Sequence, residues 1–94
     1  MKPEKPDDRR NPNDITLVVI VNGKPTEVTA NVHAPIQTVI PEALRETENT
    51  GQPPENWELR DEPGSLLDNH RKIEDFHFAP GTKLFLSLKA GIGG

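Results

Sequence analysis

Gly93-Gly94 closes the sequence, and a carboxylate carried on two glycines is an unshielded acyl group. Glycine has no Cβ to obstruct attack at its carbonyl, and its backbone adopts angles forbidden to other residues. The preceding run, Lys83 to Lys89, reads as a strand and feeds straight into Ala90-Gly91-Ile92-Gly93-Gly94. Fully extended, Lys89 to Gly94 spans roughly 16–18 Å. Such an end can thread a narrow slot and offer its carboxylate to an enzyme that activates acids. Because Gly94 stands last, the acyl group is expected to need no processing first. A diglycine taken alone is more simply a frayed end, so the rest of the chain must decide.

Other residues capable of chemistry fit plainer roles. His33, His70 and His77 match no metal-ligand spacing, and cysteine is absent, so no metal site is expected. The missing thiols also exclude disulfide staples and a thioester on the chain's own side chains. Asp61-Glu62 and Glu74-Asp75 pair carboxylates, but they fall in turns and read as solvated surface rather than acid–base machinery. No catalytic residue is expected, and the chain is read as a non-enzyme. Lys24, Lys72 and Lys83 are amines able to accept an acyl group, although ordinary surface lysines look the same. Trp57, the only tryptophan, reads as a packing residue.

Ninety-four residues make at most one domain. A hydrophobic share of 32% and a mean hydropathy of −0.68 leave a small core to carry the fold. A domain of this size hides only about 60% of its unfolded surface. No long apolar run and no charged-then-apolar start occurs, so neither a membrane span nor a signal peptide is expected, and the cytoplasm is the default location. Residues 1–14 hold four bases and four acids, whereas the remainder holds seven bases and eleven acids. An acidic body repels phosphate backbones, which argues against nucleic acid as a partner. Residues 1–14 contain three prolines and nothing apolar after Met1, so they read as a disordered arm.

The elements positioning the tail follow from periodicity. Ile15 to Val21 is a β-branched, aliphatic strand. Asn22-Gly23 is a hairpin turn signal, and residues 26–32 return with Val28, Ala30 and Val32 inward. Ile36, Val39, Ile40, Ala43 and Leu44 form one stripe of a helix. Thr38 is favoured as its cap, with Pro41 in the first turn; the alternative is an irregular turn before a helix running to about Glu48. Gly51 suits the left-handed closing position. After the rigid Gln52 to Asn56 connection, Trp57 to Asp61 reads as a third strand and Leu66-Leu67-Asp68 as a brief edge strand, with one of the two leucines inward. Ile73, Phe76 and Phe78 lie in a loop with one helical turn, and residues 83–89 form a last strand with Leu84, Leu86 and Leu88 on one face. The fold class is α+β, in β-β-α-β-β-β order, with four to five strands, the first and last adjacent at the centre and the helix across one face.

At this point residues 15–94 resemble ubiquitin and its β-grasp relatives. Gly51-Gln52-Pro53-Pro54-Glu55 is similar to the Gly-Ile-Pro-Pro-Asp corner after the ubiquitin helix. Asn69 to Phe78 resembles the family's D-G-R-T-L-S-D-Y-N-I segment, with Ile73, Phe76 and Phe78 at its apolar anchors. Lys89 falls where the family has a basic residue opening its tail. VNGKPTEV, GQPPENWELRD and LKAGIGG are similar to ubiquitin-like modifiers of bacteria, sometimes called multiubiquitin domains, for which antiphage defence is among the proposed roles.

The resemblance implies a modifier that supplies an acyl group while partners supply catalysis. An activating enzyme would consume ATP to adenylate Gly94, a conjugating enzyme would carry the thioester on its cysteine, and target lysines would receive the isopeptide bond. No cofactor would be held stably by the chain itself. A zinc-dependent deconjugating peptidase would read the tail, with Lys89, Ala90, Gly91 and Ile92 beside Gly93 and Gly94 as recognition residues. The alternative the same resemblance allows is a sulfur carrier whose adenylate becomes a thiocarboxylate for cofactor synthesis. Departures matter as well. Arg60 and Ser87 replace two members of the family's apolar recognition patch, so this partner-facing surface should reject ubiquitin-binding domains, which would have to desolvate a guanidinium. Phe76 replaces the loop tyrosine, and the tail is about one residue longer and less basic, so it should require its own activating enzyme.

Overall fold

Two alternating apolar patterns and one helical stripe meet in the computed structural model, which describes residues 13–91. The first strand, β1 (Asp14–Val21), buries Ile15, Leu17, Val19 and Val21, the side chains of one face at period two. It opens at Asp14, so Asn13 and Asp14 belong to the folded body and not to the arm expected over 1–14; the remainder of that arm lies outside the described residues. Asn22 and Gly23 carry φ of 51° and 83°, the pair of positive angles that lets a two-residue loop match strand twist. They return the chain into β2 (Lys24–Asn31), antiparallel to β1 with Leu17 opposite Val28 and Val21 opposite Lys24.

The helical stripe is wholly buried: Ile36, Val39, Ile40, Ala43 and Leu44 are each at most 3% exposed. The segment has two geometries, a 3-10 turn at Ile36–Thr38 and then α1 (Val39–Glu46). Pro41 gives the physical reason. As third residue of α1 it forfeits an N–H that has no intrahelical partner anyway, and the 3-10 turn relieves its clash with the carbonyl of Gln37. Thr38 stands at the cap position but makes no side-chain cap bond, so that part of the expectation is corrected.

The helix closes earlier than its glycine suggested. Glu48, not Gly51, takes the left-handed conformation, with φ of 60°. The Asn49 N–H donates to the Leu44 carbonyl at 2.8 Å and the Glu48 N–H to that of Arg45 at 3.1 Å, the paired closure of a Schellman motif. Thr47, 5% exposed, donates its hydroxyl to the Ala43 carbonyl at 2.8 Å.

After a 3-10 turn at Pro54–Asn56 comes β3 (Trp57–Arg60), and after a long loop with a 3-10 turn at Ile73–Phe76 comes β4 (Lys83–Leu88). The sheet order is β2-β1-β4-β3, with β1 and β4 parallel at the centre and β3 antiparallel to β4. The brief strand expected at 66–68 reduces to one bridge, Arg60 with Leu66. A single apolar-apolar pair cannot serve both faces there: Leu67 points inward at 8% exposure and Leu66 outward at 58%. Phe76 and Phe78 stack with centroids 5.1 Å apart and pack on the core edge beside buried Ile73. The result is a mixed four-stranded sheet with one helix across one face, the β-grasp arrangement.

Candidate conjugation tail and partner-facing surface

The base of the tail is anchored by main-chain pairing. Trp57 lies opposite Leu88 as the last register pair, and one step further the Lys89 N–H donates to the Asn56 carbonyl at 2.9 Å. Beyond that bond begins the segment expected to be a flexible tail over 90–94. Ala90 and Gly91 occupy a turn, both exposed, and Gly91 has φ of 84°. A Cβ added at Gly91 would meet nothing within 4 Å, so backbone angle alone asks for glycine there. Ile92, Gly93 and Gly94 lie outside the described residues.

Beside this base lies an open cleft of about 460 Å³. Ile40, Pro41 and Pro54 give it apolar walls, and Thr38, Glu55, Asn69, His70 and Lys89 line the rest with Gln37. Asn69 Oδ1 and Trp57 Nε1 are buried with no hydrogen-bond partner among the described residues. Trp57 itself is 3% exposed and sits in the core, the packing role its sequence context suggested.

The open face of the sheet carries the second candidate surface. Registers place Pro25, Ile20, Phe85, Arg60 and Leu66 in one row across it. Phe85 is 39% exposed, and Ile20 is half-buried. Arg60 bridges the row: its guanidinium meets Glu58 Oε2 at 2.9 Å and the Gly64 carbonyl at 3.1 Å. Ser87 is exposed opposite Glu58. Arg60 and Ser87 thus lie on the same open face of the sheet, together with the apolar Phe85 and Ile20, which the sequence reading did not single out. The signal was present in the alternation of Lys83 to Leu88, which turns Phe85 outward.

The remaining candidates disperse. His33 Nδ1 lies 3.3 Å from Glu74, and Arg71 lies 3.6 Å from Asp75 and 5.9 Å above the Phe76 ring. Asp61 accepts the Ser65 N–H at 2.7 Å as a turn residue. Among the described residues no three His, Cys, Asp or Glu side chains gather as metal ligands, and no helix is long and apolar enough to cross a membrane. Lys24, Lys72 and Lys83 are exposed at separate places.

This architecture is a ubiquitin-like β-grasp fold. A de novo design based on ubiquitin superposes with a TM-score of 0.71 at 20% identity, covering 89% of this chain and 99% of the design. The ubiquitin of Caldiarchaeum subterraneum gives 0.67 at 20% identity, over 86% and 99%, and the Arabidopsis thaliana protein At2g32350 gives 0.65 at 18%, over 83% and 89%. At such identities the likeness establishes the fold alone. By sequence, residues 10–94 match the family described as Protein of Unknown function (DUF2604), to which the chain belongs. Uncharacterized protein y4jI of Sinorhizobium fredii is 53% identical over 83 residues, 88% of this chain and 64% of the relative. The chain therefore spans less than two thirds of that relative's length.

Proposed function

We propose that this protein is a modifier of the kind known from bacterial ubiquitin-like pathways, acting in the cytoplasm as acyl donor and not as enzyme. The observation that carries the reading is the tail base: β4 ends at Leu88, the Lys89 N–H still bonds the Asn56 carbonyl, and from Ala90, four residues before Gly94, the chain is exposed. The Gly94 carboxylate attacks the α-phosphorus of ATP on an activating enzyme, forming the acyl-adenylate and releasing pyrophosphate. A cysteine thiolate of that enzyme displaces AMP, and the thioester passes to a conjugating enzyme's cysteine. A target lysine amine then displaces the thiol, giving an isopeptide bond that a zinc-dependent peptidase reverses. Phe85, Ile20 and Arg60 form the surface these enzymes grip, and Arg60 with Ser87 excludes domains built for ubiquitin's apolar patch.

Incubation with a cognate activating enzyme and ATP is expected to give a thioester that reductant cleaves. Deleting Gly93-Gly94 abolishes it and leaves the unfolding midpoint unchanged. Charging of the truncated chain, or an intact mass showing that the cellular protein continues uncut past Gly94, would overturn the reading. A C-terminal thiocarboxylate in place of conjugates would instead assign the sulfur-carrier role.

A further inference from the structure

The two edges of the sheet are built differently. On one side β3 is four residues long, and the bridge of Arg60 with Leu66 and the Leu67 N–H to the Leu59 carbonyl close over it. On the other side β2 runs for eight residues, with β1 as its only neighbouring strand among the described residues. Which of its backbone groups face outward follows from one bond. The Val32 N–H donates to the Asn13 carbonyl at 2.7 Å, one step beyond the pairing of Asp14 with Asn31. Bonded pairs alternate along an antiparallel ladder, so Lys24, Thr26, Val28 and Ala30 also turn their backbone groups towards β1. The N–H and C=O groups of Glu27, Thr29 and Asn31 point away from it. Pro25 falls in the outward set, where a missing N–H costs the hairpin nothing. Such an outward row is a template for another strand, which proteins usually blunt with charge, proline or a bulge. From Val28 to Asn31, β2 carries no charge and no proline, and its register with β1 is unbroken.

We infer that β2 pairs with β2 of a second copy of this chain, antiparallel about a two-fold axis at Thr29, so that the two sheets become one. The strand's own residues select both the partner and the register. With the axis at Thr29 the outward set meets itself: Thr29 faces Thr29, and each Glu27 faces the second copy's Asn31. Val28 faces Ala30 on the helix side, and no charge meets its like. Moving the axis to Glu27 opposes two carboxylates directly, and moving it to Val28 leaves them diagonal neighbours, both unfavourable. Thr29 shares a 2.7 Å hydroxyl bond with Thr16, so threonines of both copies form one row across the joint. The pairing supplies about six backbone bonds, with the Asn31 carbonyl adding a second donor to the Ala34 N–H it accepts at 3.0 Å. The ladder ends there, because the His33 N–H is held by Asn31 Oδ1 at 2.8 Å. So narrow a contact makes a weak dimer. The inference does not depend on the acyl-donor reading, since the tail base follows β4, two strands away.

Concentration and charge supply the test. The full-length chain is followed by sedimentation equilibrium and amide NMR from about 10 μM to about 1 mM, the range for contacts of this size. The mass is expected to rise towards that of a dimer. The Glu27, Thr29 and Asn31 amides shift with it, while those of Thr26, Val28 and Ala30, already bonded to β1, move less. Thr29→Pro removes an N–H that the hairpin does not use and is expected to abolish the rise; Pro25 shows that the strand accommodates proline in the outward set. Asn31→Glu sets a second carboxylate opposite Glu27 at both ends of the joint and is expected to weaken association about two- to thirtyfold. Adding Glu27→Lys to that chain is expected to restore it. A merely structural effect of losing the Asn31 bond to His33 would not be restored. A chain still monomeric at about 1 mM overturns the inference, as does a double variant no tighter than Asn31→Glu alone. A dimer whose amide shifts centre on Ile20 and Phe85 joins the copies through the open face and overturns it too. Each of these outcomes leaves the donor role standing.

Discussion

Gly23 and Gly91 hold nearly the same positive φ, 83° and 84°, and both have open space where a Cβ would stand, yet they differ in what their turns join. Gly23 joins β1 to β2, so eight register pairs are aligned by its angle. Its neighbour Asn22 donates to Asn49 Oδ1 at 3.2 Å, tying the hairpin to the closure of the helix. Gly91 follows the Lys89 bond to Asn56 by two residues, and among the described residues no strand register rests on its angle. The same backbone angle is therefore an architectural fixture in one place and a local feature of an exposed turn in the other.

The sharpest way to break that contrast is to put the same side chain at both positions. Gly23→Ala is expected to destabilise the domain by about 1–2 kcal/mol, because the unfavourable angle must be kept for the register to survive. Gly91→Ala should leave stability within about 0.5 kcal/mol, as an exposed site away from the core does. Urea unfolding followed at Trp57 measures both. Equal losses would mean that the tail turn is as deeply embedded as the hairpin, and the contrast would collapse.

The two turns also differ in how far the amino acids announced them. Asn22-Gly23 was legible because the turn is local: two residues that tolerate positive φ sit between strands of matched length, and nothing distant decides the outcome. Gly91 was legible only as a permissive residue. Its direction depends on the Asn56 carbonyl, which comes from a segment 33 residues earlier in the chain. The same limit explains the helix end. Gly51 looked like the closing residue, but Thr47 and Asn49 satisfy the last carbonyls sooner, and the left-handed cost falls on Glu48. The 66–68 strand was cut short for a related reason: the segment meets β3 only at its end, through the Arg60–Leu66 bridge and the Leu67 N–H to the Leu59 carbonyl, and the reach of that contact is not written in two leucines. By contrast the buried helix stripe followed from apolar spacing, and the adjacency of β1 and β4 at the centre from their length and apolarity; that they run parallel was not readable. Of the candidate site, the placement of Arg60 and Ser87 on one exposed face was readable by alternation, whereas the row that Arg60 joins, from Pro25 to Leu66, required the register of four strands.

A smaller effect sharpens the account of the hairpin's second anchor. Asn49 donates to Thr47 Oγ1 at 2.8 Å and to the Thr47 carbonyl at 3.1 Å while accepting from Asn22. The buried Thr47 hydroxyl keeps its own bond to the Ala43 carbonyl when Asn49 is removed. Asn49→Ala is therefore expected to cost about 0.5–1.5 kcal/mol, the net worth of an ordinary hydrogen bond. Amide hydrogen exchange should show faster opening at both Asn22 and Glu48. Faster exchange confined to the helix end would mean that the 3.2 Å link contributes nothing to the hairpin.

The smallest expected effect has the opposite sign. Glu48 holds φ of 60° on an exposed residue with its Cβ in the crowded left-handed geometry. Among the described residues no partner meets its carboxylate, while its N–H is needed for the Arg45 closure. Glu48→Gly keeps that N–H and removes the steric cost, but the unfolded chain gains freedom that glycine must surrender on folding. The first term is about 1–2 kcal/mol and the second about 0.5–1 kcal/mol, so the net change is a stabilisation of roughly 0.5–1 kcal/mol. Thermal unfolding detects a shift of that size as a few degrees in a domain of this length. A neutral or destabilised Glu48→Gly chain would mean that the helix terminus relaxes away from the left-handed angle in solution. The link from Asn49 to the hairpin, which depends on that closure, would then weaken, and the hairpin would lose its claim to a second anchor that the tail lacks.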